Sequence, residues 1–202
     1  MVSGLLMAQK TIECKIVFNV TSDLWKDQGS KQWTTYIKGD HARMEVSMME
    51  NMGSVVLVDG IKKEVTTLTT MGGNKIGYVF TEKDTEKYNT SKITVTMSKE
   101  TKTIAGYLCK KAEITTEGGG KVECYFTEQL GLSNIAALSN PVFKDIKGVL
   151  LEYKINQSGF NIHCIAKEVK KEKIDDLKFA IPKDYKIMTA EEMMKSMGEA
   201  GQ

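Results

Sequence analysis

Apolar and polar residues alternate along most of the chain, which is the pattern of β-strands that bury one face. In residues 12–20 every second residue is apolar, from Ile12 to Val20, and most of the residues between them are polar. The same period predicts further strands at residues 33–37, 42–48, 55–57, 65–68, 76–80, 93–97, 106–116, 121–127, 148–156 and 160–169. Residues 104–155, with three of these strands and an apolar connection, are the centre of the pattern.

This spacing predicts about ten short strands joined by hairpins. No long helical pattern separates consecutive strands, so we expect no parallel crossovers. The predicted fold class is α+β, mostly β: a large curved antiparallel sheet that forms an incomplete barrel, with a short C-terminal helix and one or two small lid helices. A sheet of this size must curl or split, and a curled sheet has a concave apolar face.

Local signals predict the turns and the helix. Asp59-Gly60 is typical of a two-residue hairpin turn, and the three glycines at 118–120 predict a second hairpin. Thr189 and Glu192 have the spacing of a capping box, which predicts a helix that begins after Thr189. The polar stretch 81–92 is either a short surface helix or a loop.

Residues 130–141 are an apolar segment between two strands, closed by Asn140-Pro141. The segment is either a lid over the concave face or a short packed helix or loop. Methionine is frequent, with 12 in the chain, and methionines often form an adaptable core or the lining of an apolar cavity. The predicted ligand-binding residues are Trp33, Met44, Met48, Leu132, Ile135, Leu138 and Phe143.

Composition and motifs exclude several classes of function. The net charge is +2 with both signs interspersed, and Arg43 is the only arginine, so we expect no nucleic-acid partner. No apolar run reaches the length of a membrane-spanning helix. No catalytic motif stands in a fitting context, and His41 and His163 are the only histidines, so we predict no enzyme, no catalytic residues and no cofactor.

The cysteines and the N-terminus bear on location. Cys14, Cys109, Cys124 and Cys164 lack metal-ligand spacing, so we predict no metal site. They are either buried free thiols or, if the chain is exported, disulfides. Residues 1–9 are apolar and end in Ala8-Gln9, which indicates either a remnant of an export signal or a disordered N-terminus. Residues 10–202 are predicted to form a single curved-sheet domain.

Four segments carry a resemblance to a known group of proteins. They are residues 36–45, 106–112 (GYLCKKA), 145–153 (DIKGVLLEY) and 179–188 (FAIPKDYKIM). Their order resembles an uncharacterised family of secreted Bacteroidetes proteins related to the group named for its GLPGLI motif, although Lys147 stands where that motif has proline. The resemblance implies a fold similar to the lipoprotein carriers LolA and LppX, whose apolar interior can hold acyl chains.

Two functions follow from these observations. The first is an exported, periplasmic or secreted, non-catalytic binding protein that holds a lipid or another apolar ligand on the concave face. The second is a structural or interaction domain of the cell envelope, with a core filled by its own side chains and an outer-membrane or envelope protein as its partner.

Overall fold

Twelve strands and three α-helices make up the part of the chain that the computed structural model describes, residues 12–49, 52–88, 92–157 and 159–199. The strands are β1 (Glu13–Ser22), β2 (Lys31–Lys38), β3 (His41–Met49), β4 (Met52–Asp59), β5 (Glu64–Met71), β6 (Asn74–Phe80), β7 (Ile93–Ile104), β8 (Tyr107–Thr116), β9 (Lys121–Thr127), β10 (Val149–Gln157), β11 (Phe160–Lys171) and β12 (Lys186–Thr189). The α-helices are α1 (Glu82–Tyr88), α2 (Ala136–Ser139) and α3 (Ala190–Glu199), and 3-10 helices cover Asp23–Gln28, Pro141–Phe143 and Asp176–Phe179.

All twelve strands belong to one open sheet, in the order β12-β6-β5-β4-β3-β2-β1-β11-β10-β9-β8-β7. Strands β1 to β6 form one antiparallel meander and β7 to β11 form a second. Pairing of β1 with β11 joins the two meanders, and Val20 lies opposite Cys164 in that pair. The predicted mostly antiparallel sheet with a short C-terminal helix is therefore confirmed.

Strand β12 corrects the expectation that the sheet has no parallel crossover. It runs parallel to β6, with Met188 opposite Tyr78. The connection to it is made by residues 172–185, which we call the strap, and not by a long helix. The strap contains only the 3-10 helix Asp176–Phe179 and one turn at residues 183–184, so helical periodicity could not reveal it.

Side chains of the first meander hold the strap. Lys38 Nζ donates to the carbonyl oxygen of Ile174 at 3.0 Å. Arg43 Nη1 donates to the carbonyl oxygen of Lys178 at 3.0 Å, while its Nε bonds Glu45 at 2.7 Å. Arg43 lies beside Glu45 as its place in the strand predicts, but it does more than face solvent, because it fixes the strap.

The sheet is strongly curled. Helix α2 lies against β4 and β5, whereas the 3-10 helix Pro141–Phe143 lies against β8. In a flat sheet β4 and β8 would be seven strand spacings apart, about 34 Å. Even a fully extended chain from residue 136 to residue 143 spans only about 25 Å, so the sheet must curve around this segment.

The capping and hairpin predictions have mixed outcomes. Thr189 N donates to Glu192 Oε2 at 2.7 Å and Glu192 N donates to Thr189 Oγ1 at 3.2 Å, which confirms the capping box. The turn at 118–120 is confirmed, and 81–92 contains helix α1. The prediction of a two-residue turn at Asp59-Gly60 is wrong, because Asp59 pairs with Glu64 and four residues separate them.

Candidate functional site

The apolar segment that was expected to be either a lid or a packed helix or loop lies over the concave face of the sheet. We define the lid as residues 130–146, which include α2 and the 3-10 helix Pro141–Phe143. Leu130, Ile135, Phe143 and Ile146 are each at most 5% exposed, so their side chains fill the space above the sheet. Phe143 packs edge-on against Tyr153 of β10, with ring centroids 5.6 Å apart.

Asn134 closes the lid on itself. Its Nδ2 donates to the carbonyl oxygens of Phe143 at 2.8 Å and Ile146 at 3.0 Å. Both acceptors are carbonyls, so the orientation of the amide is fixed. Asn134 Oδ1 is buried and has no hydrogen-bond partner among the described residues. Burial of an unsatisfied acceptor costs about 1–3 kcal/mol, which makes the closed lid less stable than its packing alone would.

A small pocket lies between the lid and the sheet. This inner pocket has a volume of about 80 Å³. Its walls are mostly apolar and come from β1, β2, β3 and β10 below and from the lid above. The lining residues are Ile16, Phe18, Thr35, Ile37, Met44, Ser133, Asn134, Ile135, Ser139, Asn140, Phe143, Val149, Leu150 and Tyr153.

The predicted ligand-binding residues fall into three groups. Met44, Ile135 and Phe143 line the inner pocket. Trp33, Leu132 and Leu138 do not line it and belong to the surrounding core. The backbone of Met48 lies in β3, but its side chain is outside the described residues.

A larger open cleft adjoins the inner pocket. This outer cleft has a volume of about 780 Å³ and shares Asn140 with the inner pocket. Tyr153 lines the inner pocket, and Ile155, two residues along the same face of β10, lines the outer cleft. The two spaces therefore lie next to each other at Asn140, and β10 contributes an apolar side chain of the same strand face to each.

The outer cleft has an apolar floor and a polar rim. The floor comes from Val122, Val142, Ile155 and Ile162. The polar residues that line the cleft are Thr21, Ser22, Asp23, Lys26, Ser30, Thr116, Lys121, Asn140, Lys154, Asn156, Asn161 and His163. We did not predict this cleft, because its residues come from five separate stretches of chain. The apolar Ile155 and Ile162 on either side of the β10–β11 turn were the one local signal.

The two histidines lie in different environments. His163 Nε2 is 3.0 Å from Glu152 Oε1, and Lys102 pairs with the same carboxylate. Burial raises the pKa of Glu152, but the hydrogen bonds from Lys102 and His163 lower it more, so the net pKa is below its usual value of 4.5. His41 Nδ1 lies 3.9 Å from Asp59, near the strap.

The four cysteines are buried free thiols. Cys124 lies opposite Ala112 in the β8–β9 hairpin, so it does not face Cys109. Burial raises the pKa of Cys14 and Cys109 to about 11, and that of Cys124 and Cys164 to about 12.

The described residues contain no group of three or more His, Cys, Asp or Glu side chains that could hold a metal ion. Within the same ranges, no helix has the length and apolar character needed to cross a membrane.

Comparison with known proteins places the chain in a family. The sequence model of the family described as N-glycanase peptide, N-terminal domain, matches residues 42–191. The chain belongs to this family. By its description, this N-glycanase domain family is the N-terminal part of an enzyme, and it is distinct from the remainder of that enzyme. No curated protein matches the chain.

Solved structures agree with the fold of this N-glycanase N-terminal domain. PNGF-II, solved in the P21 space group, is 16% identical with a TM-score of 0.60, and the match covers 94% of the chain. The chain spans about a third of PNGF-II, 34% of its length. An uncharacterized conserved protein from Thermus thermophilus is 10% identical with a TM-score of 0.52, and the match covers 88% of the chain and 90% of that protein. The resemblance to GLPGLI proteins and to LolA stays an expectation from sequence.

Proposed function

We propose that the chain is a non-catalytic binding module, exported to the cell envelope, that holds an apolar ligand in the outer cleft and the inner pocket. The observation that supports this most directly is the strand face of β10 that carries Tyr153 and Ile155. That face begins under the lid and ends in an open cleft, so a ligand has both an apolar contact and a way in.

The volumes of the two spaces support a ligand that lies mainly in the outer cleft. Sites for small molecules are usually about 300–1,000 Å³. The outer cleft, about 780 Å³, is within this range, and the inner pocket, about 80 Å³, is well below it. A lipid chain therefore rests mainly on the floor of the outer cleft, and its end enters the inner pocket only as the lid shifts. The unsatisfied Asn134 Oδ1 makes this shift less costly.

The contacts of His163 support a non-catalytic role. A catalytic histidine needs a nucleophile or substrate proton within hydrogen-bond reach. Among the described residues, the imidazole of His163 has one hydrogen-bond partner, the carboxylate of Glu152. The N-glycanase family name describes a domain that accompanies an enzyme, which agrees with an accessory binding role.

Binding of a fluorescent fatty alcohol, followed by titration and by native mass spectrometry, tests this proposal. We expect one ligand per chain, and we expect Ile155→Ser to weaken binding because it removes apolar floor from the cleft. Ile61→Ser is the matched control, since Ile61 is 73% exposed and lies outside the cleft. Equal binding by both variants, or no binding by the wild type, would overturn the proposal.

A second function is favoured by the small inner pocket. The lid fills most of the concave face with Leu130, Ile135, Phe143 and Ile146, as a structural or interaction domain with a self-filled core would. In that case an envelope protein binds the outside of the domain and no apolar ligand is held. The titration separates the two functions, because a self-filled domain binds no fatty alcohol at any concentration below its micelle limit.

A further inference from the structure

Strand β7 is an open edge of the sheet. It stands last in the strand order, and among the described elements only β8 pairs with it. Its first half, residues 93–97, reads Ile-Thr-Val-Thr-Met and carries no charge. At the other edge, β12 has only four residues and continues directly into α3. Proteins usually keep an edge strand short or charged, so residues 93–97 are a candidate for pairing with a further strand.

One backbone hydrogen bond fixes which groups of β7 face β8. Ile93 lies opposite Thr116, so the preceding Lys92 lies opposite Glu117. The backbone N–H of Glu117 donates to the carbonyl oxygen of Lys92 at 3.0 Å. In an antiparallel pair, residues that exchange hydrogen bonds alternate with residues that do not. The backbone groups of Lys92 therefore point toward β8, and those of Ile93 point away from it.

The same alternation applies to the rest of this segment. The N–H and C=O groups of Thr94 and Thr96 bond to β8, whereas those of Ile93, Val95 and Met97 point to the open edge. Within the described part of the chain, these outward groups have no hydrogen-bond partner. They offer donors and acceptors in the spacing that an antiparallel strand requires.

The side chains at this edge leave an apolar face incomplete. Ile93 and Val95 pack against the buried cluster that contains Ala112 and Ile114. Met97 is 51% exposed, although its partner Ala112 in β8 is fully buried. A further strand beside β7 would cover this side of the cluster.

Residues 93–97 complement a second copy of themselves. When two copies run antiparallel about Val95, Ile93 of each copy lies opposite Met97 of the other, and Thr94 lies opposite Thr96. Every outward N–H and C=O group is then paired, apolar side chains meet apolar ones and threonines meet threonines. Cross-strand pairs of these kinds stabilise antiparallel strands, and no like charges oppose each other.

We propose that the chain forms a symmetric dimer in which residues 93–97 of two copies pair and join the two sheets into one. A two-fold interface uses the same patch of both subunits, which the symmetry of the segment about Val95 allows. The pairing is short, so it buries less than the standard interface of about 1,600 Å². We therefore expect a weak dimer that dissociates at micromolar concentrations.

A bulge sets the end of the pairing. The register of β7 with β8 shifts between Met97 and Thr101. Glu100, in this bulge, accepts hydrogen bonds from the hydroxyl of Tyr125 and, at 3.3 Å, from Lys111 Nζ. Bulges interrupt the regular edge of a strand, so the second copy pairs only as far as Met97.

Sedimentation velocity of the whole chain over about 1–500 µM tests the dimer. We expect the wild type to shift from the monomer to the dimer mass over this range. The double variant Thr94→Lys/Thr96→Lys places lysines opposite lysines, so its dissociation constant should rise at least about tenfold. Mixing it with Thr94→Glu/Thr96→Glu should restore a mixed dimer, because each lysine then faces a glutamate.

Two further variants test the geometry. Val95→Pro removes an N–H that points outward, and proline is tolerated at an edge strand where the N–H is not part of the ladder. This variant should keep the melting temperature of the wild type and lose the dimer. The matched control is Thr101→Lys/Thr103→Lys, which adds the same charge at exposed positions of β7 beyond the bulge and should dimerise as the wild type does.

Each outcome decides for or against the dimer. A wild type that stays monomeric at the highest concentration overturns the proposal. The proposal also fails if the variants at residues 101 and 103 weaken the dimer as much as those at 94 and 96, because overall charge would then be the cause. A monomeric wild type that binds a peptide of alternating valine and threonine would show that this edge accepts a strand of another protein instead.

Discussion

Lys102 and Glu152 form an ion pair although β8 and β9 separate their strands in the sheet. Three strand spacings of a flat sheet are about 14 Å. Strand β7 also contacts β11, four strands away in the order. This end of the sheet therefore folds back over β10 and β11. Since Glu152 alternates with Tyr153, the ion pair lies on the face opposite the inner pocket.

Replacement of Glu152 by glutamine should destabilise the fold in a pH-dependent way. The pKa of Glu152 in the folded chain is below 4.5. The ionised carboxylate therefore contributes fully to the free energy of unfolding above about pH 4.5, and this contribution is lost as pH falls through the folded pKa. At pH 7 we expect Glu152→Gln to cost about 1.5–3 kcal/mol, the range for hydrogen bonds to charged groups. Urea unfolding of the wild type and the variant measures the difference in unfolding free energy at pH 7 and at pH 3.

The control for this variant is Glu191→Gln. Glu191 forms an exposed ion pair with Lys195 one turn along α3, with side chains 76% and 69% exposed, so little change in unfolding free energy is expected. A Glu152→Gln variant whose loss of stability is the same at pH 3 as at pH 7 would contradict the proposed role of the carboxylate.

Gly148 should tolerate no side chain. It has φ +113, and an added Cβ would collide with the backbone carbonyl of Thr127. We expect Gly148→Ala to lower the unfolding free energy by at least about 1–3 kcal/mol, the cost of such a backbone conformation alone. In Gly118→Ala nothing lies within 4 Å of the added Cβ, so a near-wild-type melting temperature is expected. Equal melting temperatures for the two variants would refute this geometry.

Asn134→Ala should loosen the lid. The substitution leaves the carbonyl oxygens of Phe143 and Ile146 without their donor, which we expect to cost about 1–3 kcal/mol. Amide hydrogen exchange in residues 135–146 should become faster, while exchange in β1 and β11 stays unchanged. Asn19→Ala, at an exposed position of β1, is the control. Unchanged exchange across the lid would show that packing alone keeps it closed.

The thiols should be unreactive in the folded chain. Their pKa values of about 11 and 12 exceed the ordinary 9.0, so at pH 8 they are protonated as well as buried. The contribution of the buried thiols to stability is fully present below pH 9.0 and is lost as pH rises through their folded pKa values, since only the unfolded thiols ionise in that range. Ellman's reagent should detect none at pH 8 and four in guanidinium. Fewer than four in guanidinium would indicate a disulfide.

Local patterns were sufficient for most of the sheet and for the helix caps. The alternation of apolar and polar residues predicted the strands of both meanders, because most of these strands bury one face against the lid or the core. At Asp59 the same reasoning failed, since its carboxylate accepts the backbone N–H groups of Ile61 and Lys62 and widens the turn. A dipeptide preference carries no information about such a competing hydrogen bond.

Long-range arrangements were the part that the sequence could not provide. Strand β12 has only four residues and pairs with β6, more than 100 residues earlier, so no periodicity marks it. Met44, Ile135 and Phe143 could be predicted for the inner pocket because each stands in an apolar pattern. The outer cleft could not, because its lining comes from five separate stretches of chain that the folded sheet brings together.

The arrangement of the sheet as two meanders has a consequence for how the chain folds. Within each meander every strand pairs with its neighbour in sequence, so little loop entropy is lost as these pairs form. Two pairings, β1 with β11 and β6 with β12, join residues more than 100 positions apart. We expect these closures to limit the folding rate. During synthesis the first meander can therefore assemble before β11 and β12 exist, and until then β1 and β6 have unpaired edges.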